Sequence, residues 1–156
     1  MTSEPQSPSP PYGQGDASFQ AAGGEAGVRR LVDRFFDLMA ERPDAALILK
    51  MHPRNLEGSR DKLSRFLCGW LGGPKRYAEK YGPIKIPRAH ARFPIGTPEA
   101  EAWLDCMAAA LTEEPMAEDF KAYLLRELRV PADRIQRAVR TRRAAEEAPA
   151  PCGDTD

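Results

Sequence analysis

The stretch from Arg88 to Leu111 reads R-A-H-A-R-F-P-I-G-T-P-E-A-E-A-W-L-D-C-M-A-A-A-L, and its character changes at Gly96. Thr97-Pro98-Glu99 has the make-up of a helix start: a hydroxyl suited to capping, a proline suited to the first turn and an acid facing the positive helix end. Beyond it Trp103, Leu104, Met107 and Leu111 recur at three- and four-residue steps, which predicts a helix burying all four. Upstream, residues 82–96 carry three prolines, Pro83, Pro87 and Pro94, amid Ile84, Ile86, Phe93 and Ile95. A long irregular segment that holds apolar side chains is usually functional in a compact domain. His90 lies within it.

The helical pattern extends outward in both directions. Val28, Leu31, Val32, Phe35, Phe36, Leu38 and Met39 form one stripe, with Arg29, Arg30, Asp33, Arg34 and Asp37 between them, and Gly23-Gly24 supply a sharp turn from a short helical piece around Phe19. Ala45 to Met51 is apolar but too brief for a full helix. A second long helix is predicted from Glu57 to Leu71, with Leu63, Phe66, Leu67, Trp70 and Leu71 on one side; Gly72-Gly73-Pro74 ends it, and a short turn follows up to Gly82-Pro83. A last helix starting near Pro115 presents Met116, Phe120, Tyr123, Leu124, Leu128, Ile135 and Val139, and Pro131 in its middle predicts a kink or break. No segment alternates in the manner of a strand, so the fold class is all-α.

The chain has 156 residues, with 23 Lys and Arg against 23 Asp and Glu. That balance argues against nucleic acid or an anionic membrane surface as a partner, since both require surplus basic charge. Seven arginines against two acids between Arg126 and Arg143 are read as a solvated helix end favourable to its dipole. Residues 1–16, rich in Pro, Gly, Ser and Gln, are expected to be a disordered tail, residues 144–156 a second one, and residues 17–143 one domain of roughly 120 residues. No apolar run reaches the length of a membrane span and no signal peptide is evident, which predicts a cytoplasmic protein. Three widely spaced cysteines, Cys68, Cys106 and Cys152, read as reduced thiols.

With only two histidines, imidazole chemistry must use His52 or His90. From its local sequence His90 is either an exposed or capping residue or a ligand. One histidine cannot build a zinc site, which needs three or four protein ligands, whereas a haem needs only one because the porphyrin supplies four nitrogens. Phe36, Phe66 and Trp103 read by themselves as core aromatics. No phosphate-binding loop, nucleophile elbow, zincin motif or paired-carboxylate motif is present.

Taken in order, several pieces resemble a group II truncated globin over about Ser18 to Arg140. They are Gly23-Gly24; V-D-R-F-F; H-P-R-N-L-E-G; L-G-G-P-K-R-Y-A-E-K-Y-G; R-A-H-A-R-F-P-I-G; and A-W-L-D-C-M, whose tryptophan stands thirteen residues after His90. The resemblance implies a two-over-two helical sandwich around haem b, with His90 as the proximal iron ligand. It places Trp103 on the distal side as an N–H donor to bound ligand. Phe36, His52, Ser59, Leu63, Phe66, Leu67 and Phe93 would complete the haem and ligand surroundings, and Tyr77 and Arg88 would hold the propionates. Three departures stand out: Phe36 occupies a position where the family usually carries a tyrosine donor, His52 one usually taken by Tyr or Phe, and Pro131 interrupts a helix normally continuous.

The function implied is reversible binding of O2 or another diatomic ligand at a five-coordinate iron. The alternative is a redox enzyme that oxidises NO or reduces peroxide with electrons from an external reductase, because no flavin site is encoded. A monomer and a homodimer both remain open.

Overall fold

The structure, a computed structural model, describes residues 11–83, 90, 93 and 95–147, and every regular element among them is helical. Arg88 and Cys152 lie outside the described residues. The elements are α1 (Ala17–Ala21), α2 (Gly24–Glu41), a 3-10 turn (Pro43–Ala45) that runs into α3 (Ala46–Lys50), α4 (Glu57–Trp70), α5 (Arg76–Tyr81), α6 (Thr97–Thr112) and α7 (Glu118–Glu147). The apolar stretch judged too short for a full helix is thus a single 3-10 turn followed by five α-helical residues.

The stripe read on α2 is its buried face: Val28, Leu31, Val32, Phe35, Phe36 and Met39 are all buried. That face explains why α2 is central, packing on both α4 and α6, with α7 laid against α6. The core formed where they meet contains Leu67, Cys68, Leu104, Cys106, Met107, Leu111, Phe120 and Leu124. Removing such side chains from water is the main stabilising contribution, at about 25 cal/mol per Å² of apolar surface. Cys68 and Cys106 are buried free thiols, and burial pushes both above the usual thiol range.

The turn joining α1 to α2 depends on Gly23 and Gly24, whose φ angles of +90° and +71° are accessible to glycine with little strain. Residues 11–16, assigned to the tail by composition, wrap against the helices. The Tyr12 hydroxyl donates to Asp119 at 2.9 Å, its ring meets Phe120 edge-on at 5.2 Å, and the Gly13 N–H donates to Ser18 Oγ at 2.8 Å. Gly72, at φ +95°, lets the Gly15 carbonyl come so close that a Cβ at Gly72 would collide with it.

Two helix-end expectations require correction. Thr97 is not the cap of α6 but its first residue. Gly96 precedes it, and the Gly96 N–H donates to Glu99 Oε1 at 2.7 Å, so the acid at the third helical position satisfies the end by itself. The Thr97 hydroxyl instead accepts from Gln136 Nε2 of α7 at 3.1 Å. Pro131 does not break the last helix, because α7 is continuous through it from Glu118 to Glu147. Leu128 before the proline and Val139 after it are both buried. Packing on both sides offsets the backbone hydrogen bond a proline removes. The arginines from Arg126 to Arg143 are exposed, as a solvated helix face requires.

Asp61 ties α4 to α5. Its carboxylate accepts from Lys80 Nζ at 2.8 Å, from the Tyr81 hydroxyl at 2.5 Å and from Arg65 Nε at 2.8 Å. Lys80 and Tyr81 foremost, then Arg65, hold this carboxyl well below the usual carboxylate range against the opposing effect of burial. A depressed folded-state value stabilises the fold above the unfolded carboxyl pKa of about 3.9 and ceases to do so as pH falls towards the folded value. Asp61→Asn is therefore expected to cost about 1 kcal/mol at pH 7. In thermal melts the gap to wild type should shrink as the pH is taken below about 4; a gap that is the same at pH 3 and pH 7 contradicts this account.

Candidate functional site

Phe35 and Phe36, adjacent on α2, meet edge-on at 5.0 Å and split the environment between them. Phe35 turns to Trp103 of α6, its ring edge-on at 4.9 Å, and Phe36 turns to His52, edge-on at 5.4 Å. One pair of neighbouring aromatics thus bridges from α6 to the segment after α3. Trp103 is half-buried, not fully buried as its spacing suggested, and its indole N–H makes no hydrogen bond to any described residue.

On α4, Leu63 and Phe66 are half-buried against the core, Leu67 is buried, and Ser59 sits half-buried in the first turn. Phe66 meets the ring of Tyr77, on α5, edge-on at 6.4 Å, and Tyr77 in turn lies 5.0 Å from Tyr81. The Tyr77 hydroxyl, like the indole of Trp103, has no partner among the described residues. His90 is helical and half-buried, its ring 6.4 Å from that of Phe93. The Arg88 assignment falls outside the described residues.

His52 is the most constrained polar group of the set. Its Nδ1 lies 2.8 Å from the carbonyl oxygen of Ile48, one turn back in α3. Burial, reinforced by the nearby His90, pushes the imidazole below its usual range, against the raising effect of the Ile48 carbonyl. This carbonyl and Phe35 are the two members of the site that sequence reading missed. Phe35 carried a signal, an aromatic beside Phe36 at core spacing; a backbone carbonyl carries none.

Among the described residues no three His, Cys, Asp or Glu side chains converge as a metal-holding group. A metal held by protein ligands alone has no match there, whereas a planar macrocycle bringing its own four nitrogens needs one histidine and an apolar envelope. His90 together with Phe36, Leu63, Phe66, Leu67 and Trp103 has that composition, so the residues present fit a haem. Among the described residues no helix is long and apolar enough to cross a membrane.

Comparison with known proteins points the same way. A family profile of bacterial-like globins matches residues 17–136. A group 2 truncated hemoglobin of Bacillus subtilis is 32% identical over 117 residues, spanning 75% of this chain and 86% of the relative. The solved group II 2-on-2 hemoglobin from Agrobacterium tumefaciens is 36% identical with a TM-score of 0.72, covering 76% of this chain and 92% of that one. A truncated oxygen-avid haemoglobin structure from Bacillus subtilis is 31% identical with a TM-score of 0.68, covering 76% and 97%. The chain therefore belongs to the bacterial-like globins, as a haem-binding truncated hemoglobin of group II with the two-over-two fold.

Proposed function

We propose that the protein takes haem b through His90 and reversibly binds O2 or another diatomic ligand on the opposite side, with Trp103 as the hydrogen-bond donor to that ligand. When bound, haem supplies an iron that accepts one protein ligand and leaves a position for a small molecule. The observation that carries the reading is the indole N–H of Trp103, which has no hydrogen-bond partner among the described residues, beside the edge of Phe35 at 4.9 Å. An indole can only donate, which suits a ligand that accumulates negative charge and not one that offers its own proton. Phe36 is buried and brings no hydroxyl, so it contributes shape and water exclusion but no second donor. The Tyr77 hydroxyl supports a role in holding a propionate, with Arg88 proposed as its charged counterpart. The B. subtilis relative described as oxygen-avid supports O2 as the first ligand to test.

A single neutral hydrogen bond contributes about 0.5–1.5 kcal/mol net. Trp103→Phe is thus expected to speed O2 release by roughly twofold to tenfold in stopped-flow measurements. Phe36→Tyr, which restores a donor beside the same space, is expected to slow it by a similar factor. An unchanged release rate in Trp103→Phe removes the donor role.

A further inference from the structure

We propose that a second cavity, bounded on one side by the N-terminal wrap, binds a small organic ammonium ion. The cavity measures about 260 Å³. Gly13 and Gly15 of the wrap, Ser18 of α1, Trp70 at the end of α4, and Tyr123 and Glu127 of α7 line it. None of these residues belongs to the haem wall described above. Sites for drug-sized ligands span about 300–1,000 Å³, so an occupant here is compact. The wrap is set close against α7: a Cβ at Gly13 would stand 2.8 Å from the Tyr123 hydroxyl.

The lining favours positive charge for three separate reasons. Glu127 is half-buried, and its carboxylate makes no hydrogen bond or ion pair with any described residue. A carboxylate drawn away from bulk water without a partner gains from an adjacent cation. Gly69 and Trp70 stand in the last turn of α4, the negative end of that helix, and the turn carries no basic side chain. Trp70 is also exposed, with no ring or cation against it among the described residues. Indole is the ring whose face attracts cations most strongly. Tyr123 already has the Arg126 guanidinium 5.6 Å from its ring centroid and the Tyr12 ring at 5.1 Å, which leaves Trp70 as the ring open to a ligand. A bare metal ion is a poor match, because no three His, Cys, Asp or Glu side chains converge among the described residues. An anion would meet the Glu127 carboxylate and the negative helix end. An alkylated ammonium ion satisfies both with its charge and packs its methyl groups on the indole. Touching the wrap as well as α4 and α7, it would also hold the wrap closed by mass action.

The probe is choline, compared with neohexyl alcohol, its uncharged carbon isostere. Each is titrated into the full-length haem-loaded protein, held as the ferrous carbon monoxide complex so that the iron is diamagnetic, and followed by amide correlation spectra. Choline is expected to shift the amides of Gly13 and Gly72 and the indole N–H of Trp70, and the alcohol to bind about tenfold more weakly or less. Glu127→Gln keeps the shape and removes the charge, whereas Trp70→Leu keeps an apolar side chain and removes the aromatic face. Each is expected to weaken choline by about threefold to tenfold. The Gly13 N–H donates to Ser18 Oγ, so its hydrogen exchange reports opening of the wrap. With choline at about ten times its dissociation constant, that exchange is expected to slow about tenfold. Signals that move no further than with an equal concentration of sodium chloride overturn the proposal. Equal affinity for choline and the alcohol also overturns it, as does unchanged choline affinity in Glu127→Gln.

Discussion

Purified His90→Ala mixed with haem is expected to lose the wild-type Soret band entirely. The site has one candidate for the protein's side of the iron, and among the described residues no convergent group of metal-binding side chains stands ready to replace it. His52, the other imidazole of the chain, has Nδ1 committed to the Ile48 carbonyl. Its Nε2 is the one nitrogen able to capture the iron in place of His90, so His90→Ala with His52→Leu is the stricter form of the experiment. His90→Gly leaves room for imidazole added from solution, and that addition is expected to restore a five-coordinate spectrum close to wild type. Recovery separates a missing ligand from a damaged fold. A His90→Ala spectrum indistinguishable from wild type ends the assignment of His90 as the proximal ligand.

Phe35→Ala is expected to give the largest loss of stability among single substitutions at the site. Phe35 is fully buried and contacts the rings of both Phe36 and Trp103. Truncating a core phenylalanine to alanine costs about 3–5 kcal/mol, the sum of lost apolar burial and the cavity left behind. For a domain of this size that corresponds to a melting temperature lower by roughly 10–15 °C. The effect should reach the ligand as well, because the ring that sets the Trp103 indole is gone. Trp103 emission is expected to shift to longer wavelength, and O2 release to become faster even where the protein is still folded. Phe35→Leu, which retains most of the volume, should recover a large part of the stability. Phe35→Ala melting within a degree or two of wild type contradicts its place in the core.

The sequence was most readable where side chains act by their spacing. Val28, Leu31, Val32, Phe35 and Phe36 define the buried face of α2 directly, because a helix resting on a core repeats its apolar residues every three or four positions. The ends were less legible, since competing groups can satisfy the same backbone N–H. Thr97 has the hydroxyl of a cap, yet Glu99 takes the Gly96 N–H and leaves Thr97 for Gln136. The break expected at Pro131 is absent for a related reason: the penalty of a proline is local, and the anchoring of Leu128 and Val139 on either side of it is tertiary. Composition likewise assigned Tyr12 to a tail because it sits among Pro and Gly, although what holds it is Asp119 and Phe120, far along the chain. Within the site, the residue types on the wall were visible from the motif, but the proton placement at His52 depends on a main-chain oxygen that no motif encodes.

The contact between Tyr12 and Asp119 joins positions 107 residues apart. Closing a loop of that length loses chain entropy before any contact is gained, so such links form late unless the intervening chain is already compact. Helices α2, α4 and α6 can assemble without the N-terminal turn, and their packing brings the end of α4 and the start of α7 into place. The wrap of residues 11–16 is therefore expected to be the last part of the protein to close in folding and the first to open in hydrogen exchange, a latch set after the frame it fastens.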